Sequence, residues 1–183
     1  LIGMVRRDKR VGSVRLRRCR LEEELEVEAE LIVNAGGAWV GQVAELAGIK
    51  LPVMWSKGSI VITQQRLTER VVNRLRPPAD ADIIVPGGTV SLAGTTSVRV
   101  DDIEHLRCEV SEVDFLVEET AKMVPAMLDT RLVRAFAGVR PLLTGEAAAD
   151  DRALSRGFAI IDHERDGLGN LLTVVAGKLT TYR

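Results

Sequence analysis

Ile83-Ile84-Val85-Pro86-Gly87-Gly88-Thr89-Val90-Ser91-Leu92-Ala93 carries two apolar runs on either side of a Pro-Gly-Gly-Thr turn. Short β-prone runs around such a turn predict a hairpin, and a hairpin means antiparallel pairing. Outward from it the pattern repeats. Val14-Arg15-Leu16-Arg17 and Leu25-Glu26-Val27-Glu28-Ala29-Glu30-Leu31 alternate with period two, which predicts two antiparallel strands with one buried face and an Arg row opposite a Glu row. The second of these strands is expected to run on through Leu31-Ile32-Val33 into the turn Asn34-Ala35-Gly36-Gly37-Ala38-Trp39. A helix follows to Ala47, with Trp39, Val43, Leu46 and Ala47 on one face and Gly48 as its stop. Residues 51–63 read as extended, with a break at Lys57-Gly58. Ser111, with Asp114 three residues on, reads as the cap of a helix whose buried stripe is Val113, Leu116, Val117, Thr120, Val124 and Met127. Further strands are expected at 131–138, 157–161 and 171–175. The fold class is therefore α+β: a mixed or antiparallel sheet with helices on one face.

Composition narrows the function. The chain has 183 residues, is 46% hydrophobic and 28% charged, and carries a net charge of −1. That is a globular composition without the charge excess that asks for nucleic acid. The basic run Arg6 to Arg20 followed by Glu22 to Glu30 is better read as the paired strands than as a nucleic-acid patch. No apolar run approaches the ~20 residues of a transmembrane helix. Cys19 and Cys108 show no C-x-x-C spacing, and two His without a neighbouring ligand cluster give no metal signature. The opening Leu1-Ile2-Gly3-Met4 has neither an initiator Met nor a signal peptide's apolar core, and reads as a cut from a longer chain. His105 and His163 both lie in polar stretches and are expected to be exposed loop residues.

Three motifs could carry chemistry. The Asn34–Trp39 turn between strand and helix would bring backbone N–H groups to one point, suited to a pyrophosphate; on these residues alone it reads more readily as a tight turn that needs glycine. The Rossmann fingerprint G-x-G-x-x-G is absent. In Gly138-Val139-Arg140-Pro141, Arg140 ends an apolar run that Pro141 is expected to stop. A guanidinium there is either a rigid fork for carboxylate or phosphate or half of a structural ion pair. Arg156 is a second cation just before a strand. Val174-Val175-Ala176-Gly177-Lys178 runs a strand into a small-residue turn that lacks the Walker spacing, which rules out a nucleoside triphosphatase reading.

Taken together, Asn34-Ala35-Gly36 through Trp39, Lys57-Gly58-Ser59, Asp80 through Pro86, Gly94-Thr95-Thr96-Ser97, Gly138-Val139-Arg140-Pro141, Ser155-Arg156 and Gly177-Lys178-Leu179-Thr180-Thr181-Tyr182-Arg183 resemble, in order, the FAD-dependent glycerol-3-phosphate dehydrogenases. The likeness runs from about residue 30 to the end and is nearest to the large catalytic chain of the anaerobic bacterial branch. The aerobic branch carries His where Ile60 stands and Asp where Ser97 stands, so a proton-accepting His is not carried over. The usual Gly-Gly-Lys is here Ala176-Gly177-Lys178. The resemblance implies oxidation of sn-glycerol 3-phosphate to dihydroxyacetone phosphate by hydride transfer to FAD. It implies Arg140, Arg156 and Lys178 on the substrate, with Thr95 and Thr96 as weaker contacts, and Lys178 and Arg140 as the catalytic pair. Asn34, Ala35, Gly36, Trp39, Gly177, Lys178 and Thr180 would approach the FAD. Residues 1–48 and 164–183 would be incomplete pieces of an FAD-binding α/β domain, and 49–163 a substrate-binding domain. Partner subunits would pass electrons to a quinone, with this chain cytoplasmic and peripheral to the inner membrane. Another FAD-dependent oxidoreductase of the amino acid oxidase superfamily, with Arg140 on a carboxylate, is the alternative. The chain by itself is expected to be inactive, a substrate-binding module without catalysis.

Overall fold

The structure is a computed structural model that describes residues 1–144, 158–175 and 177. Arg156, Lys178 and Thr180 lie outside the described residues. The chain divides into two compact units: Leu1–Met54 with the described residues after Arg140, and Trp55–Arg140.

The first unit opens with three antiparallel strands, β1 (Gly3–Arg7), β2 (Arg10–Arg18) and β3 (Glu23–Val27). Arg15 faces Glu26, Arg17 faces Glu24 and Arg18 faces Glu23 across β2 and β3, as the alternation predicts. The expected buried face is absent from β3, where all five residues are exposed, Leu25 and Val27 included. It is the edge strand of its sheet. The strand also stops at Val27 rather than running to Val33. After a break, β4 (Ile32–Asn34) joins a different sheet.

After β4 the chain makes a 3₁₀ turn over Gly37–Trp39 and then the short α1 (Val40–Glu45). The buried face is Val40, Ala44 and Ala47, while Trp39 and Leu46 are exposed. The one-turn 3₁₀ start explains the difference. It moves the inward face by one position, from Trp39 and Val43 to Val40 and Ala44, while Ala47 is buried as expected. Gly48 ends the helix at φ +72°, a conformation glycine adopts at little cost.

The second unit is a single sheet with one helix on it. Its strands are β5 (Val53–Thr63), β6 (Val72–Asn73), β7 (Ile83–Gly87), β8 (Val90–Gly94), β9 (Val98–Val100) and β10 (Leu132–Leu143), ordered β10-β5-β8-β7-β6, with β9 also paired to β5. The β7–β8 hairpin turns at Gly88 and Thr89, with Gly88 at φ +64°. Helix α2 (Val110–Ala121) lays Leu116 and Thr120 on the sheet, in a core with Val61, Ala81, Ile84, Ala93 and Met127. Each large aliphatic side chain buried there contributes about 1.5–3 kcal/mol. Two expectations fail. The cap of α2 is Glu109 with Glu112, not Ser111 with Asp114; a Glu pair two residues upstream makes the reciprocal box by itself. And β5 runs through Lys57-Gly58 unbroken.

The chain then returns to the first unit. β11 (Ala159–Asp162) pairs antiparallel with β12 (Leu171–Val175), and β12 runs parallel to β4. Val11, Ala44, Ala47, Ile49, Leu168 and Leu171 form this unit's core.

Candidate functional site

Arg140 lies on β10, the edge neighbour of β5. Its guanidinium extends across β5 at the one residue without a side chain. A Cβ built on Gly58 would stand 2.3 Å from one Arg140 terminal nitrogen and 2.7 Å from Cζ. Beyond β5, the terminal nitrogen Nη2 donates to the Thr95 hydroxyl at 2.9 Å. So the glycine that reads as a break is a seat, and the half-buried fork is held at two points on one face of the sheet. Pro141 does not stop β10, which continues to Leu143. An edge strand tolerates the missing N–H on its open side.

Side chains alternate along β5, so Lys57 and Ser59 point to the other face, toward α2. There Glu112, buried at 8% exposure, gathers the Lys57 ammonium at 2.7 Å, the Ser59 hydroxyl at 2.9 Å, the Thr96 hydroxyl at 2.8 Å and the Glu109 N–H at 3.0 Å. Lys57 also donates to the Arg107 carbonyl at 2.9 Å. Burial pushes the Glu112 carboxyl up, but the four donors outweigh it and hold the pKa below the ordinary glutamate value. Thr96 is thus committed within the protein, because its hydroxyl also accepts the Ser59 N–H at 2.9 Å. A pocket of about 210 Å³ opens beside this network, lined by Asp80, Thr96, Val98, Ser111, Glu112 and Phe115; Arg140 is on the opposite face.

In the first unit, the Asn34 side chain is spent on its own turn. Its amide donates to the Val40 carbonyl at 2.9 Å and its oxygen accepts the Gly36 N–H at 3.2 Å. That leaves the turn itself presented outward, with Ala35 exposed, Trp39 47% exposed and open space over Gly37. Because Thr173 of β12 registers with Asn34 of β4 in parallel, both strands deliver their carboxyl ends to the same edge. Gly177, exposed at φ +102°, follows β12 there. The Asn34–Trp39 turn and the exposed Gly177, at the carboxyl ends of adjacent parallel strands, suit a dinucleotide cofactor.

His163 is a correction. It is fully buried, with Nδ1 at 2.7 Å from Asp166 Oδ2 and Nε2 at 2.8 Å from the Thr173 hydroxyl. The polar run around it forms a 3₁₀ turn that folds back over the ring. His105 is exposed, as expected. Neither Glu112 nor His163 stood out in the sequence as a functional candidate. The only local signal for Glu112 is Glu-x-x-Glu ahead of an apolar stripe.

Comparison with known families places this arrangement in a class. Residues 3–183 match the family model described as FAD dependent oxidoreductase (DAO), and the chain belongs to that family. It is 43% identical, over 99% of its length, to the A chain of the anaerobic glycerol-3-phosphate dehydrogenase of Escherichia coli, and covers 34% of that protein. The chain therefore spans about a third of the length of the curated relatives it matches. Among solved structures, it resembles the glycerol-3-phosphate dehydrogenase from Bacillus halodurans complexed with FAD, at a TM-score of 0.76 and 23% identity, covering 99% of this chain and 35% of that one. It resembles glycine oxidase from Bacillus cereus at 0.65 and 16%, covering 96% and 43%. At these identities the structural likeness concerns the fold.

Proposed function

We propose that the chain is the substrate-binding part, with adjoining FAD-facing segments, of a dehydrogenase that oxidises sn-glycerol 3-phosphate to dihydroxyacetone phosphate. The observation that carries the reading is the Arg140 guanidinium, laid over Gly58 and fixed to Thr95. A pre-oriented fork of this kind matches a phosphate with little further ordering. The 43% identity to a protein named for that activity supports phosphate over carboxylate.

In this reading Arg140 holds the substrate phosphate, and Thr95 orients the guanidinium rather than the substrate. Arg156 is a second cation for the phosphate or hydroxyls, and Lys178 stands beside the reacting C2 alcohol. The Asn34–Trp39 turn, Gly177 and Thr180 hold FAD, through backbone groups where Asn34 and the glycines are concerned. FAD supplies the acceptor for the hydride that leaves C2. Residues 49–163 serve the substrate, and 1–48 with 164–183 serve the cofactor. Partner subunits carry electrons onward to a membrane quinone, and this chain lies on the cytoplasmic side; no helix among the described residues is long and apolar enough to cross a membrane.

A second reading has one observation behind it. The only cation described at the site is a single fork, and a single fork suffices for an amino acid carboxylate, the ligand type of the amino acid oxidase superfamily. Kinetics of Arg140→Ala in the full-length protein test the first reading. Loss of a charge-assisted contact worth about 1.5–3 kcal/mol raises KM for glycerol 3-phosphate roughly ten- to hundredfold. Unchanged KM and kcat would remove Arg140 from the site.

A further inference from the structure

We infer that Glu112 is a positioning residue for Arg140, acting from the opposite face of the sheet. The inference rests on Arg140 being the anion-binding group. Its basis is a gap in the ladder along β5. Regular pairing ends at Ile60 opposite Gly94 and resumes at Lys57 opposite Val98. Residues 58–59 on β5 therefore face residues 95–97, a bulge in which one side has an extra residue. Bulges re-aim side chains, and here Thr95 turns to Arg140 while its neighbour Thr96 turns to Glu112.

Both seats of Arg140 lie inside this gap, where the β5–β8 and β5–β9 pairing lapses. Two backbone bonds brace it, from the Thr96 N–H to the Ser59 carbonyl at 3.4 Å and from the Ala81 N–H to the Thr95 carbonyl at 3.1 Å, and one carboxylate gathers the side chains around it. Lys57 and Ser59 flank Gly58, Thr96 adjoins Thr95, and all three bind Glu112. The Ser59 N–H to Thr96 hydroxyl bond closes the two strands on each other. Glu112 is itself anchored by the Glu109 N–H at the start of α2. A carboxylate that served only to join helix and sheet could bind anywhere along β5; this one binds on both sides of the glycine that the guanidinium crosses. The side chains of the network face away from Arg140, so its influence passes through the positions of Gly58 and Thr95.

The test compares Glu112→Gln, Ser59→Ala and Arg140→Ala in the full-length protein. It reads KM and kcat for glycerol 3-phosphate, the inhibition constant of inorganic phosphate, flavin absorption, and folding by thermal melting. Glu112→Gln is expected to raise KM and the phosphate inhibition constant together, about tenfold, with kcat and flavin absorption held, the pattern of lost binding. Ser59→Ala moves both constants the same way by a smaller factor, and decides the matter by itself if Glu112→Gln does not fold. Folded variants at both positions with parental constants, while Arg140→Ala raises them, would overturn the positioning role and leave Arg140 standing. Parental constants in Arg140→Ala would overturn the reading beneath it.

Discussion

At the scale of single residues, the site turns on an absent side chain. A methyl group at Gly58 would occupy the guanidinium's place, and what it meets is the far end of a flexible side chain rather than backbone. Gly58→Ala is therefore expected to cost little stability but to displace Arg140. KM for glycerol 3-phosphate should rise toward that of Arg140→Ala while the melting temperature stays within a few degrees, about what a ΔΔG near 1 kcal/mol gives. A parental KM would show that the seat does not matter. Glu112 has the opposite profile. Truncation to Ala leaves the buried Lys57 ammonium without its carboxylate and is expected to cost about 3–5 kcal/mol in urea unfolding. Because its folded pKa is depressed, its contribution is complete above the unfolded value and disappears as pH falls through the folded one. The stability difference between the parent and Glu112→Gln should shrink on acidification; a constant difference would contradict the ion pair. His163→Ala strands the buried Thr173 hydroxyl, and a loss of about 1–3 kcal/mol is expected by thermal melting. Of these residues, Arg140 could be read from Gly-x-Arg-Pro. Glu112 and His163 could not, because burial of a polar group depends on partners away from it along the chain, at Lys57 and Thr173.

At the scale of elements, alternation is legible and context is not. The Arg and Glu rows specify the β2–β3 register pair by pair, yet both partners of the Arg17–Glu24 and Arg18–Glu23 bridges are more than half exposed. Arg17→Ala should change unfolding free energy by no more than ~1 kcal/mol, and less in high salt; a larger loss would mean the hairpin is covered in the full protein. Turn chemistry reads well too: Gly48 and the β7–β8 turn behave as their sequences predict. What fails is phase and termination. The one-turn 3₁₀ start shifts the face of α1, an upstream Glu pair moves the start of α2, and Pro141 passes within an edge strand. The first two outcomes are decided within one turn of the helix start, the third by the place of β10 at the sheet edge.

At the scale of the whole molecule, the α+β class follows from hairpins mixed with helices. The sheet order does not, because β10, β5 and β8 are brought side by side from distant parts of the sequence. That order lets one arginine cross a strand to reach Thr95. The chain alone, about a third of the length of its curated relatives, is expected to purify colourless; bound-flavin absorption would show that it holds FAD unaided. The most direct measurement is dye reduction by the full-length protein with glycerol 3-phosphate or with amino acids, in the parent and in Arg140→Ala. The account predicts reduction driven by glycerol 3-phosphate alone, with KM raised at least about tenfold in the variant. Reduction driven by an amino acid, or an unchanged KM, would contradict it.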